Sequence, residues 1–337
     1  MTPRLYRAAL AAASVLLATT LAACGGPAPT PTPTPDASTA PTASAGPDAS
    51  PTPTPEPVPV SNSIDGITVQ GALGSVPQVS IPTPFAIDET RTRTISEGKG
   101  EGALAEGIVE VNYVGINART GQTFDSSWEK GEPALMSLQQ VVPGFTKGLT
   151  GAKPGERRLV VMPGVDGYDS NGGRTEAGIE VGDTLVFVVD MVSVQTAAPS
   201  GVAQQPSLPV TVGEADGKPT VTIPTGEQPP SELVIAPLIV GEQRKVGEND
   251  IVITHFRSWS WNSGQQIEDN FGDLRTGPIA DALDGFKRAV IGQPIGSRVL
   301  VIVPPAYGYE RASQKPAIAA GDTVVFVIDI LYSYPQS

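Results

Sequence analysis

Three blocks of sequence recur in the same order about 140 residues further along the chain. They are ITVQGALGSVPQVSIPT and VTVGEADGKPTVTIPT from positions 67 and 210, PGFTKGLTGAKPGERRLVVMPGVDGYD and DGFKRAVIGQPIGSRVLVIVPPAYGYE at 143–169 and 284–310, and GDTLVFVVDMV and GDTVVFVIDIL at 182–192 and 321–331. This period exceeds the roughly 20–50 residues of solenoid repeats and matches one compact domain. The chain is therefore predicted to contain two tandem domains, at 62–196 and 197–337.

The N-terminal segment has the form of an export signal. Arg4 and Arg7 precede a mostly apolar run at 8–21, which is shorter than the roughly 20 residues of a spanning helix. The following LAAC at 21–24 resembles the bacterial lipobox, which implies removal of residues 1–23, diacylglyceryl attachment at Cys24 and anchoring at the extracytoplasmic face of the cell membrane. A plain secretory signal with a chance cysteine is the alternative. Since Cys24 is the only cysteine, no internal disulfide is expected.

Residues 24–61 are rich in Pro and Thr, with runs such as PTPTPTP. A segment with almost no large apolar residue cannot bury enough surface to offset its ordering entropy, and its prolines favour extended polyproline II. We expect a disordered spacer that holds the folded part away from the membrane. A glycosylated Thr/Pro stalk is an alternative for the same composition.

The repeated region is rich in predicted strands. In IVEVNYVG, the apolar residues Val109, Val111 and Tyr113 occupy every second position and therefore share one face of a strand. This pattern is typical of an antiparallel strand that covers a core on one side. RRLVVMP and DTLVFVVDMV are further β-rich runs. One short helix is predicted after Pro143, where Phe145 and Leu149 lie on one face. The fold class is therefore α+β, with mostly antiparallel sheet.

Several classes of function are excluded by composition. A net charge of −13 without a basic stripe argues against a nucleic-acid partner. His255 is the only histidine and no G-x-S-x-G motif accompanies it, so Ser-His-Asp and Cys-His catalysis are disfavoured. Zinc sites built from His and Cys clusters are excluded by count. We predict no metal and no cofactor.

The segments NYVG, GQTFDSSW, VVPGFTKGLTGAKPGERRLVVMP and GDTLVFVVDMV together resemble the FKBP-type peptidyl-prolyl cis-trans isomerases. The resemblance covers about residues 90–194, and again about 230–334 with a divergent first third. It implies two tandem domains, each an antiparallel half-barrel sheet wrapped on a short helix, with a proline pocket between helix and sheet.

The resemblance also implies site residues. Transferred position by position, the pocket of the first copy would be lined by Tyr113, Phe124, Asp125, Val141, Val142, Phe145, Tyr168, Ile179 and Phe187. By the same resemblance, the backbone N–H of Val142 would donate to a ligand carbonyl. Asp125 and Tyr168 would make polar contacts that orient the substrate. Phe145 stands where family members often have Trp, and its smaller ring is expected to shift the affinity for bulky macrolide ligands without abolishing the site.

Such a site needs no nucleophile. Rotation about an X-Pro bond faces a barrier of about 18–20 kcal/mol because the planar amide is resonance-stabilised. A dry aromatic pocket disfavours the polar planar form and binds the twisted form preferentially. The expected substrates are proline-containing exported proteins.

The second copy is predicted to be altered. Phe256 stands at the position of Tyr113, and Ile267 and Glu268 at those of Phe124 and Asp125. The other substrate-binding positions retain pocket-like residues, namely Phe286, Tyr309, Ile318 and Phe326. We expect weak or no isomerase activity here, with peptide binding or structural support surviving. The alternative for the whole protein is a non-catalytic peptide-binding chaperone or scaffold with vestigial pockets.

Two further expectations concern packing. Trp259 and Trp261 alternate around Ser260 and so share a face, which is expected to pack against the neighbouring domain rather than form a peptide-binding surface. The ITV and VTI runs at 60–90 and 205–235 are expected to pair with the edges of the two sheets.

Overall fold

A computed structural model of the protein describes residues 58–336. The predicted signal peptide, Cys24 and the spacer up to residue 57 lie outside the described residues. Val60–Ser61 already form a strand, so regular structure begins within the segment predicted to be a disordered spacer. Within 58–336, no helix is long and apolar enough to cross a bilayer.

The first copy contains ten strands and two short helices. The strands are β1 (Val60–Ser61), β2 (Thr68–Gln70), β3 (Gln78–Ser80), β4 (Ala86–Ile87), β5 (Arg91–Ser96), β6 (Ile108–Asn117), β7 (Thr123–Ser126), β8 (Ala134–Ser137), β9 (Arg157–Met162) and β10 (Leu185–Val194). The helices are α1 (Ser127–Lys130) and α2 (Pro143–Leu149). Six strands form the main sheet in the order β5-β9-β10-β6-β7, with β8 also paired to β6, and all these pairs are antiparallel.

Alternation along β6 follows the predicted pattern. Val111 and Tyr113 face a core on the helix side of the sheet, whereas Val114 and Ile116 face a second apolar layer on the opposite side. The sheet is therefore buried on both faces, not on one as expected. The predicted segments RRLVVMP and DTLVFVVDMV form β9 and β10 as expected.

The predicted helix is confirmed as α2, which begins at Pro143 and buries Phe145 and Leu149. Its two glycines allow close approach to β9, since a Cβ added at Gly148 would lie 2.5 Å from a methyl carbon of Val160. The expectation of a single helix was wrong, because the first copy also contains the four-residue α1. This helix is capped at its C-terminus by Gly131, which has a φ of 82°.

The second copy repeats this arrangement. Its strands are β11 (Gly201–Ala203), β12 (Thr211–Ala215), β13 (Lys218–Thr222), β14 (Val234–Gly241), β15 (Asp250–Ser260), β16 (Gln266–Asp269), β17 (Arg275–Pro278), β18 (Arg298–Val303), β19 (Ser313–Gln314), β20 (Ala317–Ile318) and β21 (Val324–Pro335), and its α-helix is α3 (Asp284–Val290). The main sheet has seven strands in the order β11-β14-β18-β21-β15-β16, with β17 also paired to β15. Short 3-10 turns complete both copies, at Gly164–Asp166, Asp169–Asn171, Thr175–Ala177, Ile279–Asp281 and Pro305–Tyr307.

The prediction that the ITV and VTI runs pair with sheet edges was wrong. They form separate hairpins, β2-β3 and β12-β13, whose strands pair only with each other. Ile67 and its neighbours belong to the apolar layer behind the first sheet, and Val210 and Val221 to the corresponding layer of the second. The hairpins thus cover the back faces, while β5 and β11 occupy edges of the main sheets.

The two tryptophans of the second copy lie in this back layer. Trp259 and Trp261 share a face as predicted, and both are buried against Val210 and Val221 of the hairpin region. Their neighbour is therefore the hairpin of their own copy, not the other domain. The indole N–H of Trp261 donates to the backbone carbonyl of Glu227 at 3.0 Å, which satisfies its buried donor.

A buried ion pair attaches the first hairpin to its sheet. Arg157 of β9 is 1% exposed and donates from Nη2 to Asp190 Oδ2 of β10 at 2.7 Å. The same guanidinium donates to the carbonyls of Gly71 and Ser75 in the β2-β3 turn, and Asp190 accepts from the N–H of Gly74. Each nitrogen of the guanidinium and each oxygen of the carboxylate thus makes at least one hydrogen bond, as burial of charge requires.

The same pair recurs in the second copy. Arg298 of β18 binds Asp329 of β21 through two nitrogens and also contacts Glu214 of β12 at 3.0 Å. A side-chain carboxylate here replaces the backbone carbonyls of the first copy. In both copies, therefore, an Arg-Asp pair joins the central strands to the hairpin behind them.

The ends of β10 and β21 bring the copies into contact. Tyr332 is fully buried, and its hydroxyl lies 3.0 Å from Ser193 Oγ. The N–H of Thr196 donates to the carbonyl of Leu331 at 3.1 Å, and the N–H of Val194 donates to the Gln243 side chain at 2.9 Å. Tyr332 and Leu331 also belong to a buried apolar cluster of the second copy, against which Ile108 of the first copy packs.

Replacing Arg157 by Met should lower the free energy of unfolding by about 3–5 kcal/mol, because Asp190 is then left as an uncompensated buried charge. The double variant Arg157→Met/Asp190→Leu should recover most of that loss. Urea denaturation followed by circular dichroism measures both. Arg288→Ala, which breaks an exposed helical pair with Asp284 and removes the contact of the guanidinium with the Tyr307 ring at 5.3 Å, should cost about 1 kcal/mol or less. Equal losses in Arg157→Met and the double variant would contradict the role of the pair.

Candidate functional site

Four aromatic rings of the first copy meet between α2 and the main sheet. Phe187 of β10 is central: its ring centroid lies 4.5 Å from that of Phe145, 5.5 Å from Phe124 and 6.2 Å from Tyr113. Tyr113 also packs edge-on against Phe145 at 6.4 Å. The rings predicted for the pocket therefore form one contact cluster.

A glycine makes room for this cluster. Gly115 is paired with Phe187 across β6 and β10, and a Cβ added there would lie 2.7 Å from the Phe187 ring and 2.8 Å from the Phe124 ring. Contacts this short are not tolerated. The edge-to-face packing of Phe124 on Phe187 therefore depends on the absence of a side chain at position 115.

The polar group of this site is Asp125. It accepts hydrogen bonds from the Tyr113 hydroxyl and from Lys130 Nζ, each at 2.6 Å. Burial favours the neutral acid, but these two hydrogen bonds outweigh burial and hold the pKa of Asp125 below its ordinary value. Burial, together with the hydrogen bond to Asp125, raises the pKa of Tyr113 to about 12. The tyrosine is thus a neutral donor and the carboxylate is ionised at neutral pH.

The remaining predicted residues of the first copy also adjoin the cluster. Ile179 is buried in the same core, and Val141, Val142 and Tyr168 are half-buried against it. Val142 directly precedes α2, and its carbonyl accepts from the N–H of Phe145. The guanidinium of Arg174 lies 5.8 Å from the centre of the Tyr168 ring.

The structure adds residues that sequence reasoning missed. Lys130 reaches Asp125 because α1 turns the chain back toward the site, and Ser127 Oγ accepts from the N–H of Tyr113 at 2.9 Å. Both lie in the segment SSWEKG just after the Phe-Asp pair. The sequence does place a lysine five residues after Asp125. Without knowledge of α1, however, it was not possible to infer that this lysine points back to the carboxylate.

In the second copy the equivalent rings also come together. Phe256, Phe286 and Phe326 lie 5.6–5.9 Å apart between centroids. They line a cavity of about 700 Å³ together with Tyr309, Glu268 and Leu283. Ile318 is buried in the adjoining core. The predicted substrate-binding residues of this copy are thus grouped around one cavity and its wall.

Strand register supports the residue correspondences between the copies. Gly115 pairs with Asp125 in the first sheet, and Ser258 pairs with Glu268 in the second, with a bulge immediately after each pair. Ile267 therefore corresponds to Phe124. Ser258 corresponds to Gly115 and is fully buried, and its Oγ has no hydrogen-bond partner among the described residues. By this register, Ser258 carries a side chain at the position where a Cβ on Gly115 would contact the Phe124 ring in the first copy.

Nothing in residues 58–336 has the arrangement of a metal site, since no three His, Cys, Asp or Glu side chains are grouped suitably. Asp166, in the acidic loop after β9, is buried and accepts hydrogen bonds from Lys147 and Thr90 at 2.6 Å each.

One family model matches both copies of the chain. The model of the family described as FKBP-type peptidyl-prolyl cis-trans isomerase matches residues 100–192 and 242–331. The chain belongs to this family. Its enzymatic class is therefore peptidyl-prolyl cis-trans isomerase, and the two matches lie within the two repeated sheets.

Individual relatives match over one copy. The "Probable FK506-binding protein" of Corynebacterium glutamicum is 35% identical, over 35% of this chain and 97% of that protein. The FK506-binding protein of Streptomyces anulatus is 37% identical over 35% of this chain and 96% of its own length. The crystal structure of FkpA from Escherichia coli is 35% identical, with 31% of this chain and 47% of that chain covered and a TM-score of 0.29.

We expect the substitutions at positions 258 and 267 to be coupled. Ile267→Phe alone should destabilise the protein by about 1–3 kcal/mol, because the ring overpacks against Ser258. Ser258→Gly/Ile267→Phe should recover at least half of this loss. A double-mutant cycle of urea unfolding free energies measures the coupling, with Ser258→Gly as the second single variant. Additive effects within about 0.5 kcal/mol would show that the two positions do not share the space.

Proposed function

We propose that the first copy, residues 62–196, catalyses cis-trans isomerisation of X-Pro bonds in exported proteins, with the cluster of Tyr113, Phe124, Phe145 and Phe187 as the prolyl-binding pocket. The observation that carries the proposal is the mutual contact of these rings beside an ionised carboxylate. The proposal includes a half-barrel form of each sheet around its helix, so that the pocket lies between helix and sheet.

The rings supply the apolar part of catalysis. A prolyl ring held among Phe124, Phe145 and Phe187 leaves water, and the planar amide loses the solvation that stabilises its dipole. Twisting the C–N bond reduces that dipole, so a dry site costs the twisted state less than the planar one. No proton transfer or covalent step is required.

Polar groups at the edge orient the substrate. The N–H of Val142 donates to no acceptor within residues 58–336, and in the proposed mechanism it binds a substrate carbonyl. Asp125 is already held by Tyr113 and Lys130, so it fixes the Tyr113 ring and contacts the substrate only with its remaining lone pairs. Tyr168 at the rim contributes a hydroxyl above the pocket.

Phe124→Ala should lower kcat/KM on an Ala-Leu-Pro-Phe substrate by about tenfold or more, corresponding to at least about 1.4 kcal/mol of lost transition-state stabilisation. Phe124 is half-buried, so this variant tests the pocket with less damage to the core than Phe187→Ala, which should also cost about 3–5 kcal/mol of stability. Isomerisation in the intact chain is measured by NMR exchange or a protease-coupled assay.

The matched control is Ile267→Ala at the corresponding position of the second copy. It should change turnover by less than about twofold, because the second copy is proposed to contribute little isomerisation. A macrolide that fills the first pocket should inhibit the wild type. Unchanged turnover in a folded Phe124→Ala variant would refute the pocket assignment, and equal losses in both variants would refute the division between the copies.

We also propose that the protein is anchored by a lipid on Cys24, downstream of a cleaved signal peptide, and acts at the extracytoplasmic face of the membrane. The support is the LAAC motif and the Pro/Thr-rich segment after it. Wild-type protein should incorporate labelled palmitate and enter the detergent phase of Triton X-114. Cys24→Ala should do neither. Labelling that persists in this variant, or wild-type protein that stays in the aqueous phase, would contradict the anchor.

A second candidate function is peptide binding without catalysis in residues 197–337. The favouring observation is the 700 Å³ cavity that remains beside Phe256, Phe286 and Phe326 although the Phe and Asp of the first copy are replaced. A cavity of this size is within the range of ligand sites. Such a domain would hold a client segment without accelerating its isomerisation.

A further inference from the structure

The cavity of the second copy carries a carboxylate in a setting different from that of the first. Glu268 is half-buried and lines the cavity beside Phe256 and Tyr309. Among residues 58–336 it has no hydrogen-bond donor and no ion-pair partner within 4.0 Å, unlike Asp125, which has both Tyr113 and Lys130. Burial raises the pKa of Glu268, and burial together with the nearby Glu268 charge raises that of Tyr309.

Two local changes explain why Glu268 lacks partners. Phe256 replaces Tyr113 and so removes the hydroxyl that Asp125 accepts from. The chain after β16 does not form a counterpart of α1, and no lysine returns to the carboxylate. Arg275 and Lys315 also line the cavity, and both are exposed. Arg275 is close enough that its charge counteracts part of the burial effect on the pKa of Glu268, but it forms no ion pair with Glu268 within 4.0 Å. The half-buried charge at the cavity is therefore negative, whereas both basic side chains are exposed.

We propose that the second cavity binds prolyl segments that carry a lysine or arginine beside the proline, with Glu268 as the acceptor for the cationic side chain. The inference rests on the proposed role of this cavity as a prolyl-peptide site. The three Phe rings take the prolyl ring. A half-buried carboxylate without donors gains more from a cation than from a neutral group, because charge-assisted hydrogen bonds strengthen as water is excluded. The first pocket lacks this preference because Lys130 already neutralises its carboxylate.

The test uses the intact chain with isotopically labelled isoleucine methyl groups. Ile318 reports on the second site and Ile179 on the first, since each is buried in the core beside its pocket. Titration with acetyl-Ala-Lys-Pro-Phe-amide and with its norleucine counterpart gives a dissociation constant for each site. At Ile318 the lysine peptide should bind about tenfold more tightly than the norleucine peptide. At Ile179 the two peptides should differ by less than about twofold.

Glu268→Gln preserves the shape of the side chain and removes its charge. In this variant the dissociation constants of the lysine and norleucine peptides, followed at Ile318, should become about equal. The control Glu248→Gln, at an exposed carboxylate outside the cavity, should leave the preference for the lysine peptide unchanged. An unaltered methyl spectrum shows that each variant is folded. A lysine preference that survives in Glu268→Gln, equal binding of both peptides by the wild type, or no response of Ile318 to either peptide would overturn the proposal. The turnover of Phe124→Ala is measured in a separate experiment. Failure of the isomerase proposal for the first copy can therefore be distinguished from failure of the lysine preference in the second.

Discussion

The central strands of each sheet must be covered on both faces, and this constraint organises the whole structure. Along β10, Phe187 and Val189 face the helix side, whereas Val186 and Val188 face the opposite layer. If either row were left in water, the fold would lose about 1.5–3 kcal/mol of stabilising free energy for each large apolar side chain. The hairpin β2-β3 closes the back, and the Arg157-Asp190 pair determines where its turn lies. The position of Phe187 in the site thus depends on packing behind the sheet.

Within that framework, the chemistry of each pocket depends on a few coupled positions. Gly115 permits Phe124 to pack edge-on against Phe187, whereas the corresponding position of the second copy carries the Ser258 side chain. We expect this side chain to oppose a Phe ring at position 267. A substitution at one of these positions without the other leaves either a void or a clash.

The sequence allowed much of this architecture to be predicted. Alternation along IVEVNYVG identified β6 and its core face, and the spacing of Phe145 and Leu149 identified α2. Placement of the hairpins could not be predicted, because a short β-rich run has the same alternation whether it pairs at an edge or packs on a face. Lys130 was missed for a similar reason. Its approach to Asp125 depends on a single helical turn closed by Gly131, which is too short to leave a periodic signal.

The two copies share their framework and differ in the surroundings of one carboxylate. The Arg-Asp pair and the ring of α2 or α3 recur, so both sheets support a helix over an aromatic floor. Asp125 accepts hydrogen bonds from two donors within the protein, whereas Glu268, which lines the cavity of the second copy, has no donor among residues 58–336. A carboxylate with internal partners orients a ring and keeps its charge from the ligand. A carboxylate without donors remains available to a cation, so the proposed preference of the second cavity for lysine or arginine follows from the two partners that this copy lacks.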